Sequence, residues 1–201
     1  MSKEKRVYII AVSVILVGSF TLSYHEIINM PDVHIIFKKQ DKYDPNYVKN
    51  KGKTIEFVYI GSSQCPYCNV DKLPRLIDKA KVITKDFAKS NRYGFVSKAI
   101  TTDRVSENGY SHIMSIGSFE EIIVGNGSNN MGLKKFYWGR MAGRPSTPQI
   151  IVGYKDISIP KDSISAGKLK YKDEKILARK YGIRSIERWV GNGAPLADIE
   201  K

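Results

Sequence analysis

Only two cysteines occur in this chain of 201 residues. That is too few for a disulfide-stapled mini-domain and, unaided, too few to close a structural zinc site. Acidic side chains are outnumbered as well, 20 Asp and Glu against 33 Lys and Arg, for a formal net charge of +13. Internal repeats and low-complexity tracts are lacking. With 42% hydrophobic and 26% charged residues, the composition excludes wholesale disorder, a collagen-like array and a polytopic membrane protein. What is present suffices for one ordinary domain plus an appendage. The basic excess hints at an anionic partner without naming one.

The appendage lies at the start. Lys3, Lys5 and Arg6 precede residues 7–24, eighteen uncharged residues of mainly Ile, Val, Leu, Ala and Ser. As a helix such a run rises about 27 Å, close to a hydrocarbon layer of ~30 Å. A buried core helix would keep a polar face, and this run has none. A retained anchor and a cleaved signal peptide both fit the pattern. The run exceeds the ~7–15-residue apolar core of signal peptides, and Thr21-Leu22-Ser23 is a poor cleavage site, so the anchor is favoured. No cysteine follows directly, which excludes lipoprotein-type attachment. Basic residues on the short side, and none in the first dozen positions after Tyr24, predict a cytoplasmic N-terminus. The remainder then lies outside the cytoplasm, in the periplasm of a Gram-negative cell. Cleavage would leave a free periplasmic protein.

Residues 25–50 read as a linker with a peripheral strand at 33–37, bounded by Pro31 and Pro45. The β-branched and aromatic run 54–60 predicts a buried central strand, and 95–101, 120–124 and 149–152 predict three more. A helix is expected to open at Cys65, with Val70, Leu73, Leu76, Ile77 and Ala80 on its inner face. A short helix is expected over 106–116. Residues 125–146, rich in Gly, Asn and Ser, read as a surface loop in which Phe136, Tyr137 and Trp138 pack. Tyr154-Lys155-Asp156 suggests a hairpin turn into residues 157–159, and residues 173–190 a closing helix interrupted at Gly182.

The chemistry centres on Cys65-Pro66-Tyr67-Cys68, where a buried strand gives way to a helix. Unpaired amides at a helix start stabilise a thiolate, and a two-residue spacing lets the second sulfur displace the first from a mixed disulfide. Pro66 suits the first turn, where its missing N–H costs nothing. Cys65 is therefore the expected nucleophile and Cys68 the buried resolving thiol. Other readings are a half zinc site completed by His25, His34 or His112, and a structural bridge. The first lacks a second ligand pair, and the second closes too small a loop to stabilise much.

With the strand 54–60, the Cys65–Cys68 motif and Ser146-Thr147-Pro148 leading into 149–152, residues 50–190 resemble the thioredoxin-like superfamily. The resemblance implies an α/β fold, a central mixed sheet flanked by helices, over residues 51–201, with an insertion around 102–146. It implies a cis Pro148 facing the cysteines, with the backbone at Thr147 and Pro148 binding the substrate chain. It also implies thiol–disulfide exchange with no cofactor. Several residues depart from the family. Gln64 stands where thioredoxins carry Trp, and Tyr59 where they carry a buried acid. Glu56 is the one acid in the strand, at the wrong spacing, and Pro74 resembles the kink proline one position late. The Pro-Tyr dipeptide is that of glutaredoxins, and Cys-Pro-x-Cys also resembles oxidising Dsb-type enzymes.

The expected partners are thus protein thiols or disulfides, a redox partner in the membrane or periplasm, and the membrane itself through the N-terminal helix. Eight Lys and Arg over 168–188 suit either a solvated surface or anionic lipid headgroups. Nucleic acid is not expected, for no recognition motif appears. Two other functions fit the cysteine pair. One is a Cu(I) metallochaperone, with His112 as a possible third ligand, since soft thiolates select that ion. The other is a non-catalytic assembly module of a membrane complex.

Overall fold

Strand β1, Gly52–Gly61, is buried on both faces from Thr54 onward, as its Ile, Phe, Val and Tyr content dictates. In the computed structural model, which describes residues 52–139, 141–158 and 170–199, it is the centre of a mixed five-stranded sheet. Helix α1 (Leu73–Ser90) leads to β2 (Gly94–Thr101), parallel to β1, and α2 (Ser106–Ile116) leads to β3 (Glu121–Ile123), parallel to β2. After a short helical stretch come β4 (Gln149–Ser158), antiparallel to β1, and β5 (Lys170–Tyr181), antiparallel to β4. The order is β3-β2-β1-β4-β5. An α/β fold with a mixed sheet is therefore present. Residues 1–51 lie outside the described residues, and with them the expected anchor, linker and strand at 33–37. Among the described residues no helix is long and apolar enough to cross a membrane.

Alternation along β1 divides the core. Ile55, Phe57 and Tyr59 face Leu73, Ile77 and Ala80 of α1, Ile113 of α2, and Ile186, Trp189 and Val190 of the closing helix. Val58 and Ile60 face the opposite way, toward Leu133, Phe136, Tyr137 and Met141. Residues 125–146 are therefore no plain surface loop. Helix α3 (Met131–Leu133) runs on as the π-helical turn Lys134–Trp138 and covers the second face of the sheet. Asn130 fastens it: the side chain accepts from Leu133 N at 2.9 Å and donates to Thr101 O at 2.8 Å.

Glu56 shares that second face. Its carboxylate lies 3.0 Å from Lys98, 3.1 Å from Lys155 and 3.4 Å from Lys135; Lys98 and Lys135 each reach a further acid, Glu121 and Glu174, at 2.5 Å. Burial alone would raise the Glu56 pKa, but the three ammonium groups outweigh it and hold the carboxyl at about 2.

Three expectations fail for local reasons. The helix does not open at Cys65. A 3-10 turn, Pro66–Cys68, comes first, and α1 starts at Leu73 with Pro74 in its first turn. Proline clashes with the carbonyl four residues back and donates no hydrogen bond, so a helix could not run through Val70. Pro74 thus sets the helix start and kinks nothing. Next, β4 continues to Ser158 without turning at Tyr154-Lys155-Asp156, because those residues pair with β1 from Ile55 back to Lys53. Finally, residues 173–181 are strand, and only Gly182–Gly191 (α4) is helical. The register slips between Val152 and Gly153, opposite Ala178 and Ile176, so Leu177 is an inserted bulge residue. The bulge breaks the two-residue alternation and puts apolar residues side by side, which imitates a helical spacing.

Candidate active site around Cys65 and Cys68

The β1–β4 register sets the site. Ile60 pairs with Gln149, so the chain leaving β1 lies beside the chain entering β4. The Thr147–Pro148 peptide is cis. Cys65, half-buried, directs its thiol at Thr147 O, 3.5 Å away. Cys68 is buried beneath it, and both thiols are free. Tyr67 between them is 64% exposed. All six expected site residues, Cys65, Pro66, Tyr67, Cys68, Thr147 and Pro148, thus meet at one end of the sheet.

The turn is held by groups that sequence spacing did not single out. Gly61 pairs with Thr101, so Asp103 falls beside Ser62 and Ser63. The Asp103 carboxylate, itself buried, accepts from Ser63 Oγ at 2.6 Å, Ser63 N at 3.1 Å and Ser62 Oγ at 3.2 Å. Asn69 closes the far side, its amide donating to Ser63 O at 2.8 Å and Cys65 O at 3.1 Å. Parallel pairing of the two predicted strands was the signal that could have found Asp103, since it aligns their following loops. Ser146, just before the cis peptide, is fixed through its carbonyl, which accepts from Gln149 Nε2 at 2.8 Å and Tyr137 OH at 3.3 Å.

The helix-start argument for Cys65 is corrected by this geometry. A three-residue 3-10 turn carries the cysteines, and the dipole of α1 begins five residues after Cys68. For Cys68, burial and then contact with Cys65 push the thiol up to about 12, against the opposing pull of the Ser62 backbone and Thr147. It is a thiol at neutral pH.

Beneath Cys68 the Tyr59 hydroxyl lies 3.0 Å from Nε2 of His112, both residues buried. His112 is thus engaged with Tyr59 rather than joined to the cysteines as a third ligand. Among the described residues no group of three His, Cys, Asp or Glu side chains could hold a metal ion. His25 and His34 lie outside the described residues. Glu56 points to the other face of the sheet, away from the thiols.

The arrangement pairs one half-buried thiol with one buried thiol next to the Thr147 backbone carbonyl, and thiols so spaced have the chemistry to interconvert with a disulfide. The chain matches no protein-family model, no curated protein and no solved structure.

Proposed function

We propose that this chain is a thioredoxin-like thiol–disulfide oxidoreductase acting on proteins outside the cytoplasm, tethered by residues 1–24. The observation that carries the reading is the half-buried Cys65 thiol at 3.5 Å from Thr147 O with Cys68 buried beneath it. The β-α-β unit, the antiparallel β4–β5 pair and the closing helix around the motif support the thioredoxin-like assignment.

In the reducing direction, Cys65 thiolate attacks a substrate disulfide and one substrate sulfur leaves as thiolate. Cys68 sulfur then attacks Cys65 Sγ, the mixed disulfide breaks, and the second substrate sulfur leaves. Two electrons pass from the dithiol to the substrate. Oxidation of substrate thiols is the reverse, and a redox partner in the membrane or periplasm resets the pair. The backbone at Thr147 and Pro148 holds the substrate strand.

The test is exchange with insulin and with a thiol peptide. Cys65→Ser abolishes it, whereas Cys68→Ser completes one attack and traps substrates through Cys65. Wild-type protein that exchanges with neither overturns the reading. One bound copper per chain without exchange would establish the metallochaperone instead.

A further inference from the structure

The exchange chemistry leaves one buried polar pair unused. Tyr59 sits in the same core cluster as Cys68, and His112, also buried, places Nε2 3.0 Å from the phenol oxygen. After burial, the charge and hydrogen-bonding capacity of Cys68 are the largest influences that raise the Tyr59 pKa. The backbone makes room for this pair. A Cβ on Gly61 would lie 2.1 Å from Tyr59 OH and 2.8 Å from His112 Nε2, so the last residue of β1 must be glycine. A buried polar pair that a core could replace with apolar atoms calls for an explanation.

We propose that the Tyr59 hydroxyl, oriented by His112, donates a hydrogen bond to the Cys68 sulfur as it becomes a thiolate, and so speeds the resolving step. The inference rests on the exchange reading above. With its proton on Nε2, His112 donates to the phenol oxygen, and the single phenolic proton is left for Cys68. Burial, then the neighbouring cysteines, raise the Tyr59 pKa, so the phenol keeps that proton. Burial also lowers the His112 pKa, opposed by Asp103, so the imidazole is neutral at pH 7. The titratable groups bearing on the pair are Cys65 and Cys68 from the turn and Asp103 from the loop after β2.

In the step itself the Cys68 proton leaves to solvent and the thiolate attacks Cys65 Sγ. The Cys65–Cys68 bond forms as the bond to substrate breaks, and the substrate sulfur departs as thiolate and is protonated by solvent. Tyr59 gives up no proton. Tyr59 is the donor to the reacting sulfur, and His112 is a positioning residue.

The experiment measures iodoacetamide alkylation of Cys68 between pH 7 and 9.5 in the full chain carrying Cys65→Ser, with Tyr59 intact or Tyr59→Phe. Far below the thiol pKa the rate follows the thiolate fraction, so loss of one hydrogen bond to a charged sulfur lowers it about tenfold at every pH. Resolution of a preformed Cys65 mixed disulfide slows by the same factor in Tyr59→Phe, while the first attack, read in Cys68→Ser, changes less than twofold. His112→Leu moves the alkylation in the same direction, and His112→Gln, which keeps an amide donor, restores most of it. Thermal unfolding of each variant verifies the fold. Faster or unchanged alkylation of Cys68 in both Tyr59→Phe and His112→Leu overturns this inference and leaves the exchange reading standing. Wild-type protein without exchange overturns the exchange reading, and the kinetic role of Tyr59 falls with it.

Discussion

Cys65 and Thr147 are 82 positions apart in the chain, yet the thiol of the first lies 3.5 Å from the carbonyl oxygen of the second. No helix contact brings them together. The cause is pairing along β1 and β4, which sets Ile60 opposite Gln149 and leaves the residues beyond each strand end as neighbours. A register fixed by side chains buried on both faces cannot slip by one residue without turning the whole of β1 inside out. The site inherits its precision from the sheet.

The buried thiol carries a pH signature. Cys68 titrates near 12 in the folded protein against an ordinary value of 9.0. The folded state therefore holds its proton after the unfolded chain has lost it. The contribution is complete below about pH 9 and is lost as pH rises toward about 12, at about 1.4 kcal/mol per pH unit. Urea unfolding of the reduced protein between pH 8 and 10.5 should fall more steeply than that of Cys68→Ser. Parallel curves would refute the assignment.

Glu56 has the opposite sign. Its carboxyl is held at about 2, below the ordinary 4.5, by Lys155, Lys98 and Lys135. That contribution is complete above about pH 4.5 and is lost as pH falls toward about 2. Glu56→Gln leaves the buried Lys155 ammonium and the half-buried Lys98 and Lys135 around a neutral amide, and the expected loss is about 3–5 kcal/mol at pH 7. Denaturant unfolding checks the magnitude. The acid dependence of the variant over that window should be shallower than in wild type.

Asp103 ties the loop after β1 to the loop after β2. Asp103→Asn removes the charge that takes three donors from Ser62 and Ser63, and costs about 1–3 kcal/mol. The turn carrying Cys65 should loosen with it. The expected outcome is faster hydrogen exchange at residues 62–65, with that of α1 unchanged. Equal loss in both would mean that Asp103 acts on the whole fold.

Much of this architecture is legible in the residues themselves. Strands at 54–60 and 95–101 and a helix at 106–116 announce themselves because each obeys a single period and lies in the middle of the sheet or against it. The cysteine motif and Thr147-Pro148 are legible as a spacing, and they do converge. Where two causes overlap, the pattern misleads. Pro74 moves the start of α1 past the cysteines, and Leu177 breaks the alternation of β5. The stretch 125–146 is poor in aliphatics, yet Asn130 anchors a helical turn there by hydrogen bonds that composition does not reveal. Asp103 and the Tyr59–His112 pair arise from register and from the packing of α2 on β1, relations between segments far apart in sequence.

The two outer strands have a bearing on how the protein behaves in company. One edge of the sheet, β3, is three residues long. The other, β5, is bent by two irregularities and carries Lys172, Asp173, Glu174, Lys175, Arg179 and Lys180. Neither is a flat, apolar template onto which a foreign strand can zip. A thiol–disulfide oxidoreductase, the function proposed above, would meet unfolded chains and with an open edge would risk being recruited into their aggregates. Under the proposed function, substrate chains would meet this sheet at its strand ends, where Cys65 lies, and not along its sides.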